Sequence, residues 1–148
     1  MEIKIKTQSA EETMAVGEKL AKSLFSPCVV SLAGDLGAGK TTFCKGFARG
    51  LGIDENITSP TFTLMNEYAG EKKLYHFDLY RLSTEDELYE AGLVEYIESG
   101  VGISVVEWPD ILSCDTSGDI YDVYISKNLE IDENYREIEV KKRDTSGS

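Results

Sequence analysis

Apolar and charged residues alternate in Ile3-Lys4-Ile5-Lys6, the period of a short strand with one covered face. Ser9, with Glu12 three residues later, is a capping box and predicts a helix to about Phe25, broken by Pro27. Cys28-Val29-Val30-Ser31-Leu32-Ala33 is a nearly continuous apolar run, as expected of a strand buried on both faces. A glycine-rich stretch follows. Beyond it Phe43, Phe47 and Leu51 fall at i, i+4 and i+8, one stripe of a helix that ends at Gly52. Phe62 to Tyr68 and Leu74 to Leu79 read as strands of a hairpin turning at Ala69-Gly70-Glu71-Lys72. Thr84 with Glu87 opens an acidic helix that reaches about Glu98, interrupted near Gly92. Val101 to Val106 is another apolar strand, and Ile120 to Ile125 and Glu137 to Val140 alternate as two late antiparallel strands.

This order predicts an α/β fold with a mainly parallel central sheet, antiparallel additions and helices on both faces. The length, 148 residues, suits a single domain over residues 1–142, with 143–148 a disordered polar tail. Hydrophobic residues make up 41% and charged residues 28%, an ordinary globular balance. No run of about 18 apolar residues offers a membrane span, and the first residues lack the apolar stretch of a signal peptide. The cytoplasm is the expected address. Cys28, Cys44 and Cys114 lie far apart without a CxxC pair and read as reduced structural thiols.

Charge narrows the partners. With 27 acids against 15 bases the net charge is −12, which repels phosphate backbones and disfavours tight binding of nucleic acid by this chain alone.

The glycine-rich stretch carries the chemistry. Gly34-Asp35-Leu36-Gly37-Ala38-Gly39-Lys40-Thr41 fits GxxxxGK[ST], with an apolar strand leading in and an amphipathic helix leading out. Gly34, Gly37 and Gly39 let backbone N–H groups wrap a β-phosphate where a Cβ would obstruct them. The helix that follows points its N–H groups and positive dipole end at the phosphates. Lys40 supplies an ammonium to the β- and γ-oxygens, Thr41 a hydroxyl to magnesium, and Thr42 a hydroxyl towards the α-phosphate.

A loop of this kind needs acids at neighbouring strand ends. Asp78 closes Tyr75-His76-Phe77-Asp78 and Glu107 closes Ile103-Ser104-Val105-Val106-Glu107; both are candidates for the metal shell. Thr61, in Ser59-Pro60-Thr61, is either part of a capped turn or a sensor of the γ-phosphate. His76, the only histidine, sits between aromatics and reads as a packed or hydrogen-bonded side chain ahead of a catalytic one. Trp108 fits either the core or an exposed anchor. The acids Glu85-Asp86-Glu87, Glu90, Glu95 and Glu98 make a solvated helix face, with a basic partner surface as the alternative.

Together, Gly34 to Thr42, Ser59-Pro60-Thr61-Phe62-Thr63-Leu64, His76-Phe77-Asp78-Leu79-Tyr80-Arg81-Leu82 and Glu107-Trp108-Pro109 resemble the TsaE family. This is the ATPase component of bacterial tRNA threonylcarbamoyladenosine (t6A) synthesis. Order and spacing match from about residue 7 to 110. The resemblance implies a P-loop domain that binds ATP and Mg2+, associates with the proteins TsaB and TsaD, and hydrolyses ATP to reset that complex. It further implies Asp78 as the Walker B-type acid, Glu107 as a second magnesium-site acid and Thr61 as the switch threonine. Trp108 falls on the family's functional tryptophan, Arg136 on a late basic residue near the nucleotide, and the segment around Ala10 to Glu12 on the part approaching adenine.

Two rivals remain. A small-molecule or nucleoside kinase closes an arginine-bearing lid over the phosphate. The four arginines here are Arg49, Arg81, Arg136 and Arg143, none in the 84–100 stretch where a lid would lie. A nucleotide-gated binding module would bind partners under ATP control without needing hydrolysis. A GTPase is disfavoured because no [NT]KxD guanine-reading motif occurs.

Overall fold

The computed structural model describes residues 2–24, 28–34, 39–55, 57, 65–78, 102–107 and 119–142. The alternating N-terminal residues form strand β1 (Glu2–Thr7). Helix α1 (Ala10–Ser23) starts where the capping box predicts: the Ser9 hydroxyl accepts from Glu12 N–H at 3.1 Å. The reciprocal bond shifts by one residue, with the Glu12 carboxylate accepting from the Gln8 N–H instead of that of Ser9. α1 stops two residues short of the expected Phe25, at a Leu24 cap whose carbonyl accepts from the Lys72 ammonium.

The apolar run becomes β2 (Cys28–Gly34), and the stripe of Phe43 and Phe47 becomes α2 (Lys40–Gly50), ended by Gly52 at φ +75°. The hairpin is β3 (Met65–Tyr68) and β4 (Leu74–Asp78), antiparallel, with Tyr68 opposite Leu74. β5 (Ile103–Glu107), β6 (Asp119–Lys127) and β7 (Arg136–Lys142) complete a seven-stranded sheet ordered β1-β7-β6-β2-β5-β4-β3. The expected acidic helix from Thr84, the start of the hairpin at Phe62 and the tail 143–148 lie outside the described residues.

The centre of the sheet is parallel: β2 pairs with β5 and β6, and β4 pairs with β5. Its margins are antiparallel, β3 against β4 on one side and β6–β7–β1 on the other. The two late strands pair antiparallel as expected, but β6 is not an outer addition. It lies directly beside β2, with Gly34 opposite Ile125.

Alternation sorts the central strands onto two faces. Val30, Leu32, Val105, Val123 and Ile125 cluster with Phe43 and Phe47 of α2 and with Leu20 and Ala21 of α1. Val29, Ser31, Tyr75, Phe77, Ser104 and Val106 point the other way and are also buried, as the near-continuous apolar runs predict. The helices touch closely. A Cβ on Gly46 would lie 1.9 Å from the Met14 carbonyl oxygen, and one on Gly17 would lie 2.4 Å from that of Phe43. Only glycine permits that approach, and it fixes α2 against α1. No helix among the described residues is long and apolar enough to cross a membrane.

Candidate functional site

One rim of the sheet gathers the chemistry. The parallel strands β2, β4 and β5 end there at Gly34, Asp78 and Glu107. β7 runs the other way and starts there at Arg136, which pairs with Thr7 at the end of β1. Ligand sites of open α/β sheets form beyond such strand ends.

Gly39 precedes α2 at φ +96°, a left-handed conformation that glycine adopts without strain. The helix carries no side-chain cap and no acid in its first turn, whereas α1 has Ser9, Glu11 and Glu12. An N-terminus left this way is suited to an anion. Lys40 opens the helix nine-tenths buried, and its ammonium donates to the Gly34 carbonyl at 3.3 Å, spanning the loop from end to end. Thr41 and Thr42 are half-buried beside it. Asp35, Leu36, Gly37, Ala38, Thr61 and Trp108 lie outside the described residues.

Asp78 and Glu107 are register partners on β4 and β5. They therefore share a face, on strands about 4.8 Å apart. Asp78 is half-buried; Glu107 is buried and accepts a 2.7 Å hydrogen bond at Oε2 from His76 Nε2. Cys44, one turn beyond Lys40, brings its Sγ to 3.9 Å from the same nitrogen. Burial, and secondarily the Glu107 charge, push the Cys44 thiol well up; burial pushes Cys28 up to about 12. Both are free thiols, as expected.

Beside the start of α2, Ser9, Ala10, Thr13, Gly39, Thr42, Asn134 and Arg136 line an open recess. Arg136 is held in place by bonds from its guanidinium to the carbonyls of Glu133 and Tyr135, at 2.8 and 2.7 Å. A methyl group on Gly39 would stand 3.9 Å from Arg136 Nε and from the Thr42 Cβ. Thr13 is tied to Thr7 by a buried 2.9 Å hydroxyl–hydroxyl bond, locking the start of α1 to β1. Ala10 and Arg136 thus share a recess with Gly39 and Thr42 at the start of α2. Ser9, Thr13 and Asn134 line it too and were not anticipated. Asp132 and Asn134 carry a turn signal, with Asp132 Oδ1 accepting from the Asn134 N–H at 2.8 Å, but nothing in it points to a recess.

An apolar strand entering a glycine loop, a lysine and threonine opening the next helix, and acids ending two adjacent parallel strands define a P-loop nucleotide-hydrolase fold. The sequence profile described as threonylcarbamoyl adenosine biosynthesis protein TsaE matches residues 7–142. A Bacillus subtilis (strain 168) protein named tRNA threonylcarbamoyladenosine biosynthesis protein TsaE is 47% identical over 112 residues, 75% of this chain and 69% of that one. Its namesake in Treponema pallidum (strain Nichols) is 42% identical over 134 residues, 90% of this chain and 96% of that one. A crystal structure of Bacillus subtilis YdiB superposes with a TM-score of 0.71 at 37% identity, covering 95% of this chain and 84% of that one. The chain belongs to the TsaE family.

Proposed function

We propose that the chain is an ATP hydrolase that uses Mg2+ and supports threonylcarbamoyl modification of a tRNA adenosine, working with TsaB and TsaD. The observation that carries the nucleotide part is the Lys40–Gly34 contact across the loop at the uncapped start of α2, on the rim shared with Asp78 and Glu107.

The donor set suits magnesium. Thr41 offers a hydroxyl and Asp78 and Glu107 offer carboxylates, all hard oxygens. No group of three or more His, Cys, Asp or Glu among the described residues forms an all-protein cage, which fits an ion that keeps waters and takes phosphate oxygens. When bound, magnesium would neutralise charge developing on the β- and γ-phosphates. Lys40 exchanges the Gly34 carbonyl for phosphate oxygens. The loop amides and the start of α2 hold the triphosphate in line. Glu107, buried at a strand end, orients the attacking water or the metal's water shell; Asp78 holds the metal side. Ala10 and Arg136 border the base and sugar. Hydrolysis is slow in the isolated chain and resets the complex when the partners are present. The net charge of −12 agrees with leaving tRNA contact to those partners.

Calorimetric titration with ATP, GTP and ADP, each with and without Mg2+, tests the first part. Heat with ATP and ADP that strengthens with Mg2+ is expected; no heat with any nucleotide overturns the reading. For the role, a strain depleted of this protein should lose t6A from its tRNA nucleosides, and Lys40→Ala should fail to restore it. Unchanged t6A on depletion removes the tRNA role and leaves the nucleotide-gated module.

A further inference from the structure

His76 is used by nothing described so far, and it is 1% exposed. A buried imidazole kept only for packing would have both nitrogens satisfied or give way to an apolar side chain of its size. Here Nε2 lies 2.7 Å from Glu107 Oε2, and Nδ1 has no hydrogen-bond partner among the described residues. That asymmetry assigns the tautomer. Glu107 accepts, so Nε2 carries the proton, and Nδ1 is left with a bare lone pair, a cheaper orphan than a buried N–H.

The carboxylate needs this bond as much as the histidine does. Glu107 is 3% exposed, and a carboxylate that deep is stable only when hydrogen-bonded. Two elements fix the imidazole. β4 carries it two residues before Asp78, and α2 presses Cys44 to 3.9 Å from Nε2 one turn after Lys40. We propose that His76 is a positioning residue that clamps Glu107 Oε2 through its Nε2–H and so aims the Glu107 Oε1 atom at the metal and water of the nucleotide site. This deepens the ATP hydrolase reading above and rests on it. Hydrogen-bonded partners of this kind set the orientation of an acid near a metal, and losing one costs about 10- to 100-fold in metal affinity or turnover.

Because His76 is the only histidine, a long-range 1H–15N spectrum of the full chain holds a single side-chain imidazole. It should show a protonated Nε2 and a bare Nδ1, and Glu107→Gln should shift the Nε2 signals. In His76→Phe, Mn2+ affinity in the presence of ADP, read by electron paramagnetic resonance, should fall about tenfold or more, and kcat should fall about 10- to 100-fold. Metal-free ADP affinity should stay within about twofold, because the loop is untouched. His76→Gln, whose amide N–H reaches nearly where Nε2–H does, should restore much of both. A protonated Nδ1, a spectrum indifferent to Glu107→Gln, or wild-type Mn2+ affinity and kcat in His76→Phe would each overturn the inference while leaving ATP hydrolysis standing. Failure of the unaltered chain to bind any nucleotide removes both. If His76→Phe does not fold, the spectrum and His76→Gln decide.

Discussion

Lys40 illustrates what a single side chain reports. Its ammonium rests on the Gly34 carbonyl, so the contact it would make with a phosphate replaces one already satisfied. A hydrogen bond to a charged group is worth about 1.5–3 kcal/mol net, so Lys40→Ala should weaken ATP binding about 10- to 150-fold by calorimetry. Glu107→Ala should keep nucleotide binding and lose hydrolysis in a phosphate-release assay, since the residue ends β5 beside Asp78 and does not belong to the loop. The buried thiols answer to pH. Cys28 is raised to about 12 from an ordinary 9.0, so the folded chain holds that proton more tightly than the unfolded one. Its contribution to stability is complete below the unfolded value and declines as pH rises from about 9 towards 12. Disulfide-exchange reagents at pH 8 should therefore leave Cys28 and Cys44 unlabelled until denaturant is added.

Among the elements, the helix pair carries the sharpest test. Gly46→Ala would gain about 1 kcal/mol of intrinsic helix preference. Yet its Cβ would stand 1.9 Å from a backbone oxygen of α1, which no rotamer can relieve. Forced separation of packed elements costs about 1–3 kcal/mol or more, so the clash wins. Urea denaturation should show a lower midpoint for Gly46→Ala, and ATP affinity should fall with it because α2 carries the loop. Much at this scale was legible in advance. Ser9 with Glu12 located the start of α1, the i, i+4, i+8 stripe located α2, and the Gly34–Thr41 spacing pointed to the P-loop fold. Such signals are local: a cap, a period and a fixed spacing. The place of β6 was not legible, because alternation in Ile120–Ile125 says one face is covered and nothing about which strand lies alongside. Nor was the recess of Ser9, Thr13 and Asn134, assembled from residues over a hundred positions apart. The His76–Glu107 clamp needs the β4–β5 register, which no sequence spacing between the two residues encodes.

At the scale of the whole molecule, the recess joins the first helix to the turn before the last strand, so a bound nucleotide would tie together segments distant along the chain. A ligand present at about 100 times its Kd adds about 2.7 kcal/mol to stability. In a domain this size that corresponds to a rise of about 5–10 °C in Tm. ADP with Mg2+ should produce that rise in differential scanning calorimetry, and ADP without metal a smaller one. Hydrogen exchange should slow most in β1 and β7.

The sheet order has a consequence for how the protein is made. Among the described residues β1 has a single strand neighbour, β7, whose last residue is Lys142. A chain leaving the ribosome therefore exposes β1, its hydrogen-bonding edge unpaired, until the residues of β7 have been made. Ile5 and Ile3 wait beside Lys4 and Lys6, and such charges on a strand discourage pairing with foreign edges. β1 can therefore join the sheet only after β7 has been made, and a chain truncated before residue 136 would carry an open, adhesive margin.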